Sequence, residues 1–324
     1  MLPTRHVATG SDAARIRRAL PWVALALAAA LPLLAGTFDL AYYVGFVRRL
    51  MIYSIAAASL NLILGFGGMA SLGHAAFFGL GAYATGIAMH HGLASAWLAW
   101  PLAMAVSALL ALVIGAISLR TRGVYFIMIT LAFAQMVYYV AVGLKSYGGE
   151  DGLTLPARST LGLGLDLADE VTLYYVVLAT LVAVLWAFNR AVDARFGRVL
   201  LGIRENEARM EALGFPTYRY RLAGFVLAGA VAGLAGALLA NHNLFVSPAT
   251  LHWTQSATLV VMVLVGGVGY RYGGPLGAVA LLTLEEFLAR ATDYWHLPLG
   301  CILLALVFLA PRGIASAADA EGLR

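Results

Sequence analysis

Ten predominantly apolar runs recur along the chain, near 21–38, 47–66, 72–90, 95–119, 123–143, 171–189, 222–241, 255–269, 274–290 and 297–311. A bilayer core about 30 Å thick needs about 20 apolar residues per helix. Within lipid, every backbone polar group must find its partner inside the structure, so continuous runs of this kind predict helices. Only 11% of the 324 residues are charged, against about 25% in a soluble domain. The chain is therefore expected to be an all-α, polytopic integral membrane protein of about eight to ten transmembrane helices. Two runs depart from the pattern. The run 72–90 is dotted with glycine, and 255–269 is short and ends near Gly266-Gly267. Either reads as a broken or re-entrant segment, a form tolerated where it lines a cavity.

The basic residues orient the pattern. With the N-terminus in the cytoplasm and ten crossings, 1–20, 120–122, 190–221, 271 and 312–324 fall inside and hold sixteen of the twenty-one Arg and Lys. The outside keeps Arg48, Arg49, Lys145, Arg158 and Arg290, and its longest loop, 144–170, is acidic, with Glu150, Asp151, Asp166, Asp169 and Glu170. This satisfies the positive-inside rule and divides the chain into a cytoplasmic tail (1–20), a transmembrane domain (21–313) and a second cytoplasmic tail (314–324). The net charge of +5 is accounted for by those loops, so no nucleic-acid partner is expected. Arg15, Arg17 and Arg18 before an apolar stretch resemble a signal peptide; we read the stretch as an uncleaved first helix.

The absences narrow the function. A phosphate-binding loop needs a lysine directly after a glycine-rich turn, and the single lysine, Lys145, follows Leu144. The chain lacks a Gly-x-Ser-x-Gly elbow and a His-Glu-x-x-His pair. Cys301 has no partner cysteine, and His90-His91 has no ligand one turn away, so neither metal nor cofactor is expected in this chain. An ion-coupled transporter places ionisable groups deep in the membrane. The nearest here are Glu285 and Glu286, and Glu286 is spaced to pair with Arg290 one turn on. Energy then comes from a partner ATPase, or from none, as in a passive channel.

The loop 190–221 is longer than a helix connection needs. From Arg198 to Gly214 it reads Arg-Val-Leu-Leu-Gly-Ile-Arg-Glu-Asn-Glu-Ala-Arg-Met-Glu-Ala-Leu-Gly. Leu200, Ile203, Met210 and Leu213 fall on roughly one face of a predicted helix, with Arg204, Glu205, Glu207, Arg209 and Glu211 directed elsewhere. Such a helix lies on lipid headgroups or docks in a partner's groove.

Three stretches together resemble the permease subunits of bacterial branched-chain amino-acid ABC importers of the LivM type. They are Ser59–Tyr83, which contains Gly-Phe-Gly-Gly-Met-Ala-Ser-Leu-Gly-His; Leu119–Gln135; and Arg198–Gly214 with the Ala-Gly-Leu-Ala-Gly-Ala-Leu run at 232–238. Gly266-Gly267, Gly273-Gly274-Pro275 and Pro311-Arg-Gly313 also fit. The resemblance implies a bacterial inner-membrane subunit that pairs with a LivH-like permease, two cytoplasmic ATPases that hold the ATP and magnesium, and an extracytoplasmic binding protein. It implies branched-chain or related amino acids as cargo, with urea, amides and carboxylates as alternatives. It also makes 198–214 the ATPase-coupling helix, with Arg198, Ile203, Arg204, Glu205, Asn206, Glu207 and Met210 on it and with Glu211, Ala212 and Gly214 at its core. Within the spans, Asn61, Ser71, His74, Thr130 and Gln135 are costly to leave unpaired in hydrocarbon. They either face a translocation pathway or bond helix to helix.

Overall fold

The computed structural model describes residues 25–32, 41–162, 166–310 and 312–318. The helices in chain order are α1 (25–32), α2 (Ala41–Asn61), α3 (His74–His90), α4 (Ala96–Ser118), α5 (Val124–Gly143) and α6 (Glu170–Asp193). There follow α7 (Arg195–Glu205), α8 (Glu207–Ala212), α9 (Thr217–Asn243), α10 (Trp253–Gly266), α11 (Gly273–Ala291), α12 (His296–Leu309) and α13 (Ala315–Ala318). The predicted all-α polytopic architecture holds. Among the described residues, five helical stretches are long and apolar enough to cross a bilayer by themselves: Tyr42–Phe66, α4, α5, α6 and α9. The rest of the predicted 21–38 span lies outside the described residues.

Contacts between connections sort the molecule into two ends. At one, the guanidinium of Arg271 bonds Asp193, Asn189 Nδ2 donates to the Tyr272 hydroxyl (3.2 Å), and Ile314 N donates to Val265 O (2.9 Å). At the other, β1 (Leu153–Thr154) pairs antiparallel with β2 (Phe245–Val246), Leu153 opposite Val246, and Ser95 bridges Thr160. The first end gathers the arginine-rich connections. The second carries the loop 144–169, whose Asp169 caps α6 by accepting from Thr172 N and Oγ1, both at 2.8 Å. Those bonds hold its carboxyl below the usual carboxylate range.

α9 is the central post, packed on α3, α4 and α2, while α10 and α11 form a hairpin against α2. The hydrophobic window of α2 is 83% buried and that of α5 only 22%, so α2 is core and α5 periphery. The periphery is greasy: Tyr125, Met136, Trp186, Phe287, Phe308 and Leu309 are all exposed. A soluble monomer does not carry apolar surface on this scale, and in a bilayer that surface faces acyl chains.

Three boundaries differ from expectation. α2 begins at Ala41, six residues early, because Arg48 is not a terminus. It is 3% exposed and neutralised inside the fold, its NH1 donating to Glu170 Oε2 at 2.5 Å and its Nε to His242 Nδ1 at 2.8 Å. Glu170 also binds Arg158. The two runs singled out as irregular, 72–90 and 255–269, are themselves occupied by continuous helices, α3 and α10, and the breaks come before them. After α2 the backbone widens into a π-helical turn, Leu62–Phe66, then turns through Gly68, whose φ of +65 favours glycine. α10 has 14 residues, about 21 Å at 1.5 Å per residue, and the segment 244–252 leads into it. The two breaks meet internally, where Ala75 N in the first turn of α3 donates to Ser256 Oγ of α10 (2.8 Å).

Candidate functional site

The connection between α6 and α9 is not one helix. α7 and α8 are separated at Asn206, whose extended backbone (φ −157°, ψ 99°) stops the first helix. Its side chain then caps the second by accepting from Arg209 N at 2.9 Å. The predicted single helix Arg198–Gly214 is thus corrected to two, and its apolar stripe splits with it. Leu200 and Ile203 are buried with Val199 against the membrane body, and Met210 folds back on Gly202. Leu213, expected on the same face, is 65% exposed, because the new start at Asn206 rotates α8 away from α7.

Three charged residues expected to point outward instead fasten the segment. Arg204 donates to Gly65 O in the π-helical turn and covers Gly68. Glu207 lies between Arg221 NH1 (2.9 Å) and Arg122 Nε (3.3 Å), tying α8 to α9 and to the turn before α5. Glu211 Oε1 accepts from Thr217 Oγ1 at the start of α9 (2.9 Å). Arg198, Glu205, Asn206, Arg209, Ala212 and Gly214 remain exposed. The segment is a ledge braced to the first break from behind and open in front.

Of the five polar residues of the spans, four are hydrogen-bonded within the protein. Asn61, with no exposure, donates through Nδ2 to Tyr270 O (2.7 Å) and accepts from Gly269 N (3.1 Å). Thr130 Oγ1 donates to Ile127 O in its own helix (2.9 Å), and Ser71 Oγ accepts from Gly73 N (3.1 Å) in the break. Ser59 Oγ gives its proton to Ala56 O (2.7 Å), so His74 Nε2, 2.8 Å away, is the donor to Ser59. His74 Nδ1 is buried without a partner. Gln135 is half-buried. At the end opposite the arginines, a cavity of about 410 Å³ opens between Tyr138 and Val142 of α5 and the stretch Ser247–Thr254, with Glu150 at its edge. These residues of the second break were not anticipated, since nothing local marks them.

Asn61 offers a direct check. Asn61→Leu strips the partner from the buried Gly269 N, worth about 1–3 kcal/mol, and from the part-buried Tyr270 O, worth less. The thermal midpoint of the detergent-solubilised protein should fall by several degrees, and an unchanged midpoint would show the Tyr270 and Gly269 bonds to be dispensable.

Glu286 and Arg290 form the expected pair (Nε to Oε1, 3.0 Å), joined by the Tyr42 hydroxyl. Among the described residues, no cluster of three His, Cys, Asp or Glu side chains is close enough to hold a metal ion.

The sequence model of the family described as branched-chain amino acid transport system / permease component matches residues 42–310, from the start of α2 to the end of α12. The chain belongs to this family. It is 30% identical to the high-affinity branched-chain amino acid transport system permease protein LivM of Escherichia coli K12, over 94% of this chain and 76% of that one. It is likewise 30% identical to the LivM protein of Salmonella typhimurium, over 82% and 68%. It is 26% identical to the autoinducer 2 import system permease protein LsrC of an Enterobacter species, over 72% and 68%. No solved structure matches the chain at a significant level. The protein is a multi-pass membrane permease, and the match runs through both breaks and the ledge between α6 and α9.

Proposed function

We propose that this chain is one permease half of an ATP-driven importer for branched-chain or related amino acids. On this reading it pairs with a LivH-like permease, is fed by an extracytoplasmic binding protein, and is driven by two ATPases that hold the nucleotide and magnesium. The arginine-rich end faces the cytoplasm of a bacterial inner membrane. The observation that carries the reading is the ledge 195–214. Its inner side is pinned to the first break by Arg204 and to α9 by Glu207 and Glu211. Its outer side presents Arg209, Ala212 and the exposed Leu213. A force applied there reaches the break beside α3 without passing through a flexible linker. The LsrC relative supports the importer type while leaving the cargo to the binding protein, so urea, amides and carboxylates stand as the alternative cargo.

Leu213→Arg separates docking from folding, because Leu213 is solvent-exposed in the isolated chain. In a pull-down of the tagged full chain from native membranes, an ATPase should accompany the intact protein. The variant should recover it at least about tenfold less, the loss of one buried apolar anchor of about 1.5–3 kcal/mol. Uptake that continues without ATP, with no ATPase bound to the intact chain, would overturn the importer reading.

A further inference from the structure

Behind the ledge lies a cavity of about 310 Å³, lined by Gly67–Ala70 of the first break, by Arg122, Gly123, Phe126 and Ile127 at the start of α5, and by Ile203, Arg204, Glu207 and Arg221. Three guanidinium groups face one carboxylate. Glu207 is shared between Arg122 and Arg221, while Arg204 donates to a neutral carbonyl, that of Gly65. The Arg221 side chain is only 10% exposed and donates through NH1 to Glu207 (2.9 Å); among the described residues its other N–H groups bond no protein atom and stay open to solvent. The fourth wall is the first turn of α5, whose amide groups receive no side-chain cap from Gly123. A helix start of this kind favours an anion. Arginine forks match phosphate oxygens in pairs.

The level of the cavity is marked as well. Val124 and Tyr125, next to Arg122 and Gly123, are exposed and apolar or aromatic, and Tyr218 reaches the Ala116 carbonyl nearby. Aromatic rings of this sort collect at the headgroup level of a bilayer, where basic pockets between helices hold anionic headgroups.

We propose that this cavity is a binding site for a phosphate-bearing anion, one that bridges α5, α9 and the ledge. Its occupant is either the headgroup of an anionic lipid or a free phosphate compound. The inference rests on the membrane placement alone, so it is independent of the cargo. An anion there neutralises the surplus of arginine and braces the ledge against the break.

The test uses the purified full chain and two variants. Arg122→Gln removes an exposed fork and leaves the Glu207–Arg221 pair intact. Glu207→Gln removes the competing negative charge while keeping an oxygen for Arg221. Native mass spectrometry from nanodiscs of equal parts phosphatidylglycerol and phosphatidylcholine reads lipid retention, and titration with inorganic phosphate in lipid-free detergent reads the soluble source. The intact chain should retain phosphatidylglycerol over phosphatidylcholine, or bind phosphate. Arg122→Gln should weaken that binding about fivefold to tenfold, and Glu207→Gln should strengthen it. Retention of phosphatidylglycerol that phosphate does not displace identifies a lipid site; binding of phosphate without lipid identifies a soluble one. Absence of both, or equal weakening in both variants, overturns the proposal. It also fails if neither probe binds and Arg122→Gln instead releases a co-purifying protein, whose carboxylate then fills the site.

Discussion

Gly81→Val is expected to abolish recovery of monodisperse protein. Gly81 lies on the face of α3 that meets α9, and a β-carbon added there would stand 2.1 Å from Gly233 O and 2.5 Å from Gly233 Cα. Both obstacles are backbone, so no rotamer change makes room. Overpacking ordinarily costs about 1–3 kcal/mol, and separating two central helices goes to the upper end or beyond. Lipid offers no compensation, because helices in a bilayer associate through close packing rather than through exclusion of water. Gly45→Ala in α2 is the control, since nothing lies within 4 Å of its would-be β-carbon. Size-exclusion profiles and thermal midpoints in detergent read the difference. A Gly81→Val protein with the midpoint of the intact chain would mean that α3 and α9 do not approach as described.

The consequence extends beyond stability. α3 carries at its first turn both His74, bonded to Ser59, and Ala75, bonded to Ser256. Its contact with α9 therefore sets where the two breaks meet.

The spans were legible because the length and continuity of an apolar run report directly on the thickness of the bilayer. The irregular segments were legible only in part: glycines and brevity drew attention to 72–90 and 255–269, whereas the breaks come before the helices those runs hold. What escaped was whatever depends on a partner far away in the chain. Arg48 reads locally as a helix end, and only Glu170, 122 residues on, and His242 make it interior. Asn61 reads equally as a pathway residue or a tie, and its bonds to Tyr270 and Gly269, more than 200 residues away, have no signal in the local sequence. The split at Asn206 did have a local signal, an asparagine followed at once by Glu207, the pattern of a helix start. The helical spacing of Leu200, Ile203, Met210 and Leu213 masked it, since those positions fit one helix as well as two. The arginine cavity is of the distant kind, assembled from four separated segments.

Glu207→Ala is expected to free the ledge while leaving the membrane body folded. The substitution leaves Arg221, nearly buried, without its carboxylate, and Arg122 and Arg204 nearby add repulsion. Breaking a fully buried pair costs about 3–5 kcal/mol; with Glu207 19% exposed the cost is nearer about 2–4 kcal/mol. That energy falls on α8, a helix of six residues held otherwise by Asn206 at its start and by the bond from Thr217 to Glu211. A helix of fewer than two turns has little stability of its own, so it detaches locally before α9 is disturbed. Trypsin cleavage after Arg209 should accelerate by about thirtyfold or more, matching about 2 kcal/mol of easier opening. The thermal midpoint of the membrane body should move little. If the ledge transmits force as proposed, ATP-driven uptake by the assembled importer falls with it, whereas an ATPase still docks on the exposed face around Leu213. Unchanged cleavage at Arg209 would place the brace elsewhere, on Arg204 and Gly65. Cleavage that rises without loss of uptake would separate the ledge from transport.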